Sequence, residues 1–187
     1  MPVPSCGGVF RELLAYRGGD VVPRFHDDGR LEELAAPANL QASCLQIGFY
    51  LASWGMFRNS PLLDKSSRFY EPLVRSIAAA ERSLWTLDVP QYGDESCALI
   101  MQRAEDIRSA LFPEASDTLV TKVMLGVFGC VPAFDSYFVR GFRHAFGKGS
   151  LLRLRAVYEA DASSFDACCV PTIDFTSRWR PPPWRSS

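Results

Sequence analysis

The chain has almost no net charge: 20 Lys and Arg oppose 21 Asp and Glu over 187 residues, a formal balance of -1. No global field therefore draws it to nucleic acid or to an anionic membrane, and any such attraction has to come from a local patch. Its two histidines, His26 and His144, are too few and too far apart for a metal site or a Ser-His-Asp triad. The six cysteines, Cys6, Cys44, Cys97, Cys130, Cys168 and Cys169, show no Cys-x-x-Cys spacing of the kind structural zinc uses. Phosphate loops, dinucleotide fingerprints and serine-hydrolase signatures are also missing, so no metal and no cofactor are expected. No apolar run approaches the roughly 18 to 20 residues of a membrane span. The opening "MPVPSCGGVF" lacks the basic start and apolar stretch of a secretory signal. The expectation is a cytoplasmic protein without a membrane partner, its thiols kept reduced and mostly buried as small hydrophobes.

What is present is helical periodicity. The 48% hydrophobic content, with 13 Phe and 4 Trp, suffices for a sizeable core. Phe10, Leu13 and Leu14 mark a short helix over Val9 to Tyr16. Leu40, Cys44, Ile47, Tyr50, Leu51 and Trp54 form one stripe of a largely buried helix from Asn39, a predicted N-cap, to Trp54. Gly55 and Pro61 bracket a polar turn. The segment from Asp64 to Leu84 continues helically, with Pro72 either kinking the helix or marking its true start. "TLDVPQYGDES" reads as a loop ending in Asp94 or Ser96 as a cap, followed by a helix faced by Leu99, Ile100, Ala104, Ile107 and Leu111. A further helix follows Pro113 and ends at Gly129; another opens on Asp135 and stops at Gly147; the last is capped by Ser150. The pattern predicts an all-α fold, a single compact multi-helix domain over residues 1–175. A Pro/Arg/Trp-rich, irregular tail over 176–187 reads as disordered or polyproline, and a protein partner docking on it is one expectation.

The chemistry-bearing candidates cluster around "TLVTKVMLGVFGCVPAFDSYF". Lys122 lies among Val120, Val123, Met124, Val127 and Phe128, so its amine is either a snorkelling surface group or a partly desolvated nucleophile. Asp135 opens the next helix, where backbone amides hold it ionised. The plain alternative makes Lys122 a solvent-facing helix residue and Asp135 an N-cap. Downstream, Arg140, Arg143 and His144 at i, i+3 and i+4 predict a basic edge able to accept phosphate. Arg58 is a further anion-binding candidate, and Trp54, Asn59 and Tyr137 are candidate pocket residues around the helix ends.

The lysine helix, the "VPAFD" turn and the aspartate that opens the next helix resemble the active-site segment of helix-hairpin-helix DNA glycosylases. The resemblance implies Lys122 as Schiff-base nucleophile and Asp135 as electrostatic partner, with nucleic acid as substrate. "FPEASDTLV" stands where that family carries its Gly-x-Gly turn, and Lys122 and Asp135 are only 13 positions apart. A second resemblance is broader. "FYLASWGMFRNSPLL", "VTKVMLGVFGCVPAFDSYF" and "VPTIDFTS" look like three blocks that recur, in this order, in a family of uncharacterised bacterial all-α proteins. It implies a helical protein without an assigned activity; because the plain reading accounts for nearly every residue, the chain itself reads as a binding or interaction module.

Overall fold

A computed structural model describes residues 31–58 and 60–163, and among these every regular element is helical. There are six α-helices: α1 (Pro37–Ser53), α2 (Glu71–Ala78), α3 (Asp94–Leu111), α4 (Asp117–Val127), α5 (Ser136–Phe142) and α6 (Lys148–Ala160). Short 3-10 turns at Leu31–Ala35, Ser67–Tyr70, Arg82–Trp85 and Val89–Gln91 link or flank them. The all-α expectation holds. The predicted Val9 to Tyr16 helix, part of the 1–175 domain and the tail lie outside the described residues.

Helix α3 organises the packing: it touches α2, α4 and α6, while α1 closes the bundle against α2 and α4. Its buried face is Cys97, Ile100, Ala104, Ile107 and Leu111, joined by the buried Arg103. Arg103 donates to the Ser76 carbonyl at 3.1 Å and to Glu81 Oε2 at 2.9 Å, so the buried guanidinium ties α3 to the end of α2. A buried charge needs such partners to offset its desolvation.

Helix α4 is different, with Leu119, Val120, Thr121, Lys122, Val123, Met124 and Gly126 all buried. Its apolar residues run almost all the way round, and a helix of that kind belongs inside. Ser116 caps its start by accepting from the Leu119 amide, and Gly129 ends it at φ +69°. There the Gly129 amide reaches back to the Met124 carbonyl at 3.0 Å, the left-handed C-terminal cap the sequence predicts.

Other boundaries moved. Asn39 is not the cap of α1: Pro37 starts the helix, and Asn39 Nδ2 donates to the Glu33 carbonyl at 3.0 Å. Pro 72 marks a true start, because α2 begins at Glu71; but α2 ends at Ala78 instead of running to Leu84. The chain leaves the helix to bury Leu84 and Trp85, whose indole packs edge-on to Phe128 at 4.6 Å. Helix α3 starts at Asp94, and Ser96 serves its first turn by accepting from the Gly93 amide at 2.7 Å. The "loop" before it contains a 3-10 turn in which Gln91 Oε1 accepts from the Asp88 amide and Asp88 Oδ1 from the Val89 amide. Ser150 lies inside α6, which opens at Lys148, and donates to the Ala145 carbonyl. Cys44, Cys97 and Cys130 are free and buried; Cys6, Cys168 and Cys169 lie outside the described residues.

Candidate functional site

The segment that joins α4 to α5 is fixed by two hydroxyls. Thr121 Oγ1 accepts from the Phe134 amide at 2.8 Å, and Thr118 Oγ1 donates to the Phe134 carbonyl at 3.0 Å. Two side chains one helical turn apart thus satisfy both polar groups of a residue that is itself buried, as a strand partner would. Asp135 follows, and its Oδ1 accepts from the amides of Tyr137 and Phe138 at 3.0 and 2.9 Å. It is the N-cap of α5, as the plain reading of the sequence had it.

Lys122 does not face solvent: only 6% of its surface is exposed. This corrects the reading of a solvent-facing helix residue. Its Nζ lies 5.0 Å from the centre of the Trp54 ring and donates to the Trp54 carbonyl at the long distance of 3.5 Å. Trp54 is the C-cap of α1, so the ammonium sits at the negative end of that helix and against a π face. Nearby, Tyr50 donates to the Lys122 carbonyl at 2.9 Å and contacts Trp54 edge-on. Burial pushes the Tyr50 hydroxyl up to about 12. Tyr50 fits because position 126 is glycine: a Cβ there would lie 2.3 Å from its ring. The Lys122 amine and the Asp135 carboxylate are therefore not paired; one closes α1, the other opens α5.

Helix α5 buries no residue. Its inner side is an aromatic series in which Phe134, Phe138 and Phe142 follow at 4.9 and 5.4 Å, with Phe146 against Phe134 at 5.2 Å. Its outer side presents Tyr137, 79% exposed, with the Arg140 guanidinium 5.5 Å from the ring centre. The helix ends at Phe142, earlier than predicted, because Arg143 takes a left-handed conformation with φ +63°. The basic edge is consequently not one continuous helical face: Arg143 is held at the turn, and His144 lies beyond it with its ring 5.2 Å from Phe142. A non-glycine residue at positive φ costs about 1 kcal/mol or more, and such positions concentrate at functional surfaces. Among the described residues neither Arg140 nor Arg143 forms an ion pair with a carboxylate.

On another side of the first turns of α4 lies an open cleft of about 660 Å³. The turn after α1 contributes Gly55, Met56, Arg58, Ser60 and Pro61; Lys65 and Phe69 come from the approach to α2; Phe112, Glu114, Ser116 and Leu119 come from the α3–α4 connection and the start of α4. Gly55, at φ +68°, turns the chain off the end of α1 and into this rim.

Of the residues singled out in the sequence, Arg58 lines the cleft, Tyr137 and Arg140 meet on α5, and Arg143 follows at its end. Trp54 belongs to the Lys122 junction, and neither it nor Tyr137 lines the cleft. Asn59 lies outside the described residues. Sequence reasoning passed over Lys65, Phe69, Phe112 and Glu114. The signals were the i, i+4 Lys65–Phe69 pair and the Phe-Pro-Glu break after α3. Among the described residues no helix is long and apolar enough to cross a membrane. The chain matches no protein-family model, and neither a curated protein nor a solved structure matches it significantly.

Proposed function

We propose that this chain is a helical binding module that engages single-stranded nucleic acid along α5. The observation that carries the reading is the exposed Tyr137 ring with the Arg140 guanidinium over it and Arg143 following at the helix end, both arginines free of carboxylate partners among the described residues. An exposed aromatic face offers a base a stacking platform, and the two guanidinium groups offer phosphate contacts. The near-zero net charge of the chain makes this a local interaction, with little long-range steering. The segment is presented rigidly, since the threonine clamp on Phe134 and the Asp135 cap fix where α5 begins.

Base excision through Lys122 and Asp135 draws no support from this geometry, because the amine is turned to Trp54 and Asp135 Oδ1 is engaged by two amides. A cytoplasmic setting and membership of the uncharacterised bacterial family belong to the same reading. The free thiols of Cys44, Cys97 and Cys130 suit a reducing compartment.

The test is a fluorescence-anisotropy titration of labelled oligo-dT and oligo-U across a range of salt concentrations. Tyr137→Ala is expected to weaken binding by about 1–3 kcal/mol. Replacing both Arg140 and Arg143 by Gln should flatten the salt slope by about 1.4, at roughly 0.7 per phosphate on a single strand. Absence of binding at low salt, or binding indifferent to all three changes, rejects the reading.

A further inference from the structure

The cleft beside α4 plays no part in that surface, and its lining has a chemistry of its own. Its walls are apolar: Phe69 and Phe112 lie with ring centres 6.3 Å apart, and Met56, Pro61 and the buried Leu119 extend the same surface. Its rim carries two cations, Arg58 and Lys65, and one carboxylate, Glu114. All three are exposed, and none forms an ion pair with another described residue. Lys65 is held over its own wall, its amine 5.5 Å from the centre of the Phe69 ring.

Two further polar groups converge on the same opening. Ser116 accepts from the Leu119 amide as the N-cap of α4, which leaves its own hydroxyl hydrogen free to donate. The positive end of the α4 dipole points the same way. The Asp117 carboxylate that would oppose an anion there is paired with Arg108, whose guanidinium meets it at 2.6 Å and Glu105 at 3.2 Å. Ser60 Oγ accepts from the Leu62 amide at 3.2 Å and likewise keeps a donor.

We propose that this cleft is a binding site for a small amphipathic monoanion, an aliphatic or aromatic carboxylate. Its apolar body lies on Phe69, Phe112, Met56 and Leu119, and its carboxylate lies between Arg58 and Lys65. The charge count selects the class: two cations and one acid leave a single positive charge, which one carboxylate neutralises and a dianion overshoots. Glu114 repels a second negative group, so phosphate monoesters and nucleic-acid backbones are disfavoured. The apolar walls favour a hydrophobic body over a bare inorganic anion.

The test uses 4-phenylbutyrate as probe, with 4-phenylbutanol as the neutral analogue and phenyl phosphate as the dianion, followed by methionine-methyl NMR. The chain has four methionines; Met56 lines the cleft and Met124 is fully buried in the core, which makes it an internal control. The expected result is a saturable shift of the Met56 methyl with Met124 unmoved. Arg58→Gln and Lys65→Gln, both at exposed positions, are each expected to weaken phenylbutyrate binding by about fivefold. Glu114→Gln should improve phenyl phosphate by a similar factor. Equal affinity for phenylbutyrate and phenylbutanol, unaffected by the two cation changes, would overturn the anion assignment. No shift of Met56 with any probe would overturn the site. Neither outcome bears on α5, whose Tyr137 does not line the cleft, and Tyr137→Ala is expected to leave this titration unchanged.

Discussion

Helices α4 and α5 are neighbours in sequence and similarly rich in apolar residues, aliphatic in one and aromatic in the other, and yet one buries seven of its residues and the other buries none. The difference lies in how the apolar residues are distributed. In α4 they surround the helix, and small or β-branched residues let α1 and α3 approach closely. In α5 the phenylalanines repeat every four positions, which builds one aromatic edge and leaves Tyr137 and Arg140 outside. The cations follow the same division. Lys122 is spent on closing another helix, while Arg140 and Arg143 stay available. Charge type alone does not mark the functional surface; what the charge is already doing does.

The comparison can be broken most severely through Phe128, the C-cap of α4, and Phe142, the last residue of α5. Phe128, fully buried against Trp85, should lose about 3–5 kcal/mol on replacement by Ala in urea unfolding, whereas half-buried Phe142→Ala should cost less than about 1 kcal/mol. Similar losses at both would mean that α5 is as integrated as α4. The glycines sharpen the point with opposite signs. Gly126→Ala drives a methyl group into the Tyr50 ring and should cost about 1–3 kcal/mol. Gly141→Ala meets nothing within 4 Å in a helical turn, and should stabilise by about 0.5–1 kcal/mol. For Lys122, Lys122→Met keeps the volume and removes a buried charge, so stability should stay within about 1 kcal/mol and oligonucleotide binding should be unchanged. Loss of binding with the fold intact would return Lys122 to the functional site. The smallest effect concerns the turn between the helices, where burial pushes the Cys130 thiol up to about 12. Iodoacetamide at pH 8.5 should therefore leave Cys130 unmodified in the native protein and label it after unfolding, as read by peptide mass spectrometry.

The helices with unbroken periodicity were legible in the residues: the stripe of α1, the face of α3, the Gly129 stop of α4 and the Asp135 cap of α5. The 3-10 turns were not, because they exist to bury particular side chains such as Tyr70, Leu84 and Trp85 against distant partners. The fate of Lys122 was also hidden. A lysine among apolar residues reads alike whether it snorkels or is covered, and here the decision was made by a carbonyl 68 positions away. Tyr137, Arg140 and Arg143 were legible as candidates because no packing requirement accounts for them. The cleft was illegible because its walls come from three separate stretches of chain.

The hydroxyl clamp on Phe134 has a consequence for how this protein tolerates change. A loop between two helices ordinarily accepts insertions and deletions, its length being a minor entropic matter. Residues 129–133 behave instead like the teeth of a ratchet. One residue more or fewer would present a different amide and carbonyl to Thr118 and Thr121, and so would shift the start of α5 against α4. The length of this turn is thereby a specification of register, and the orientation of everything that α5 displays is written into it.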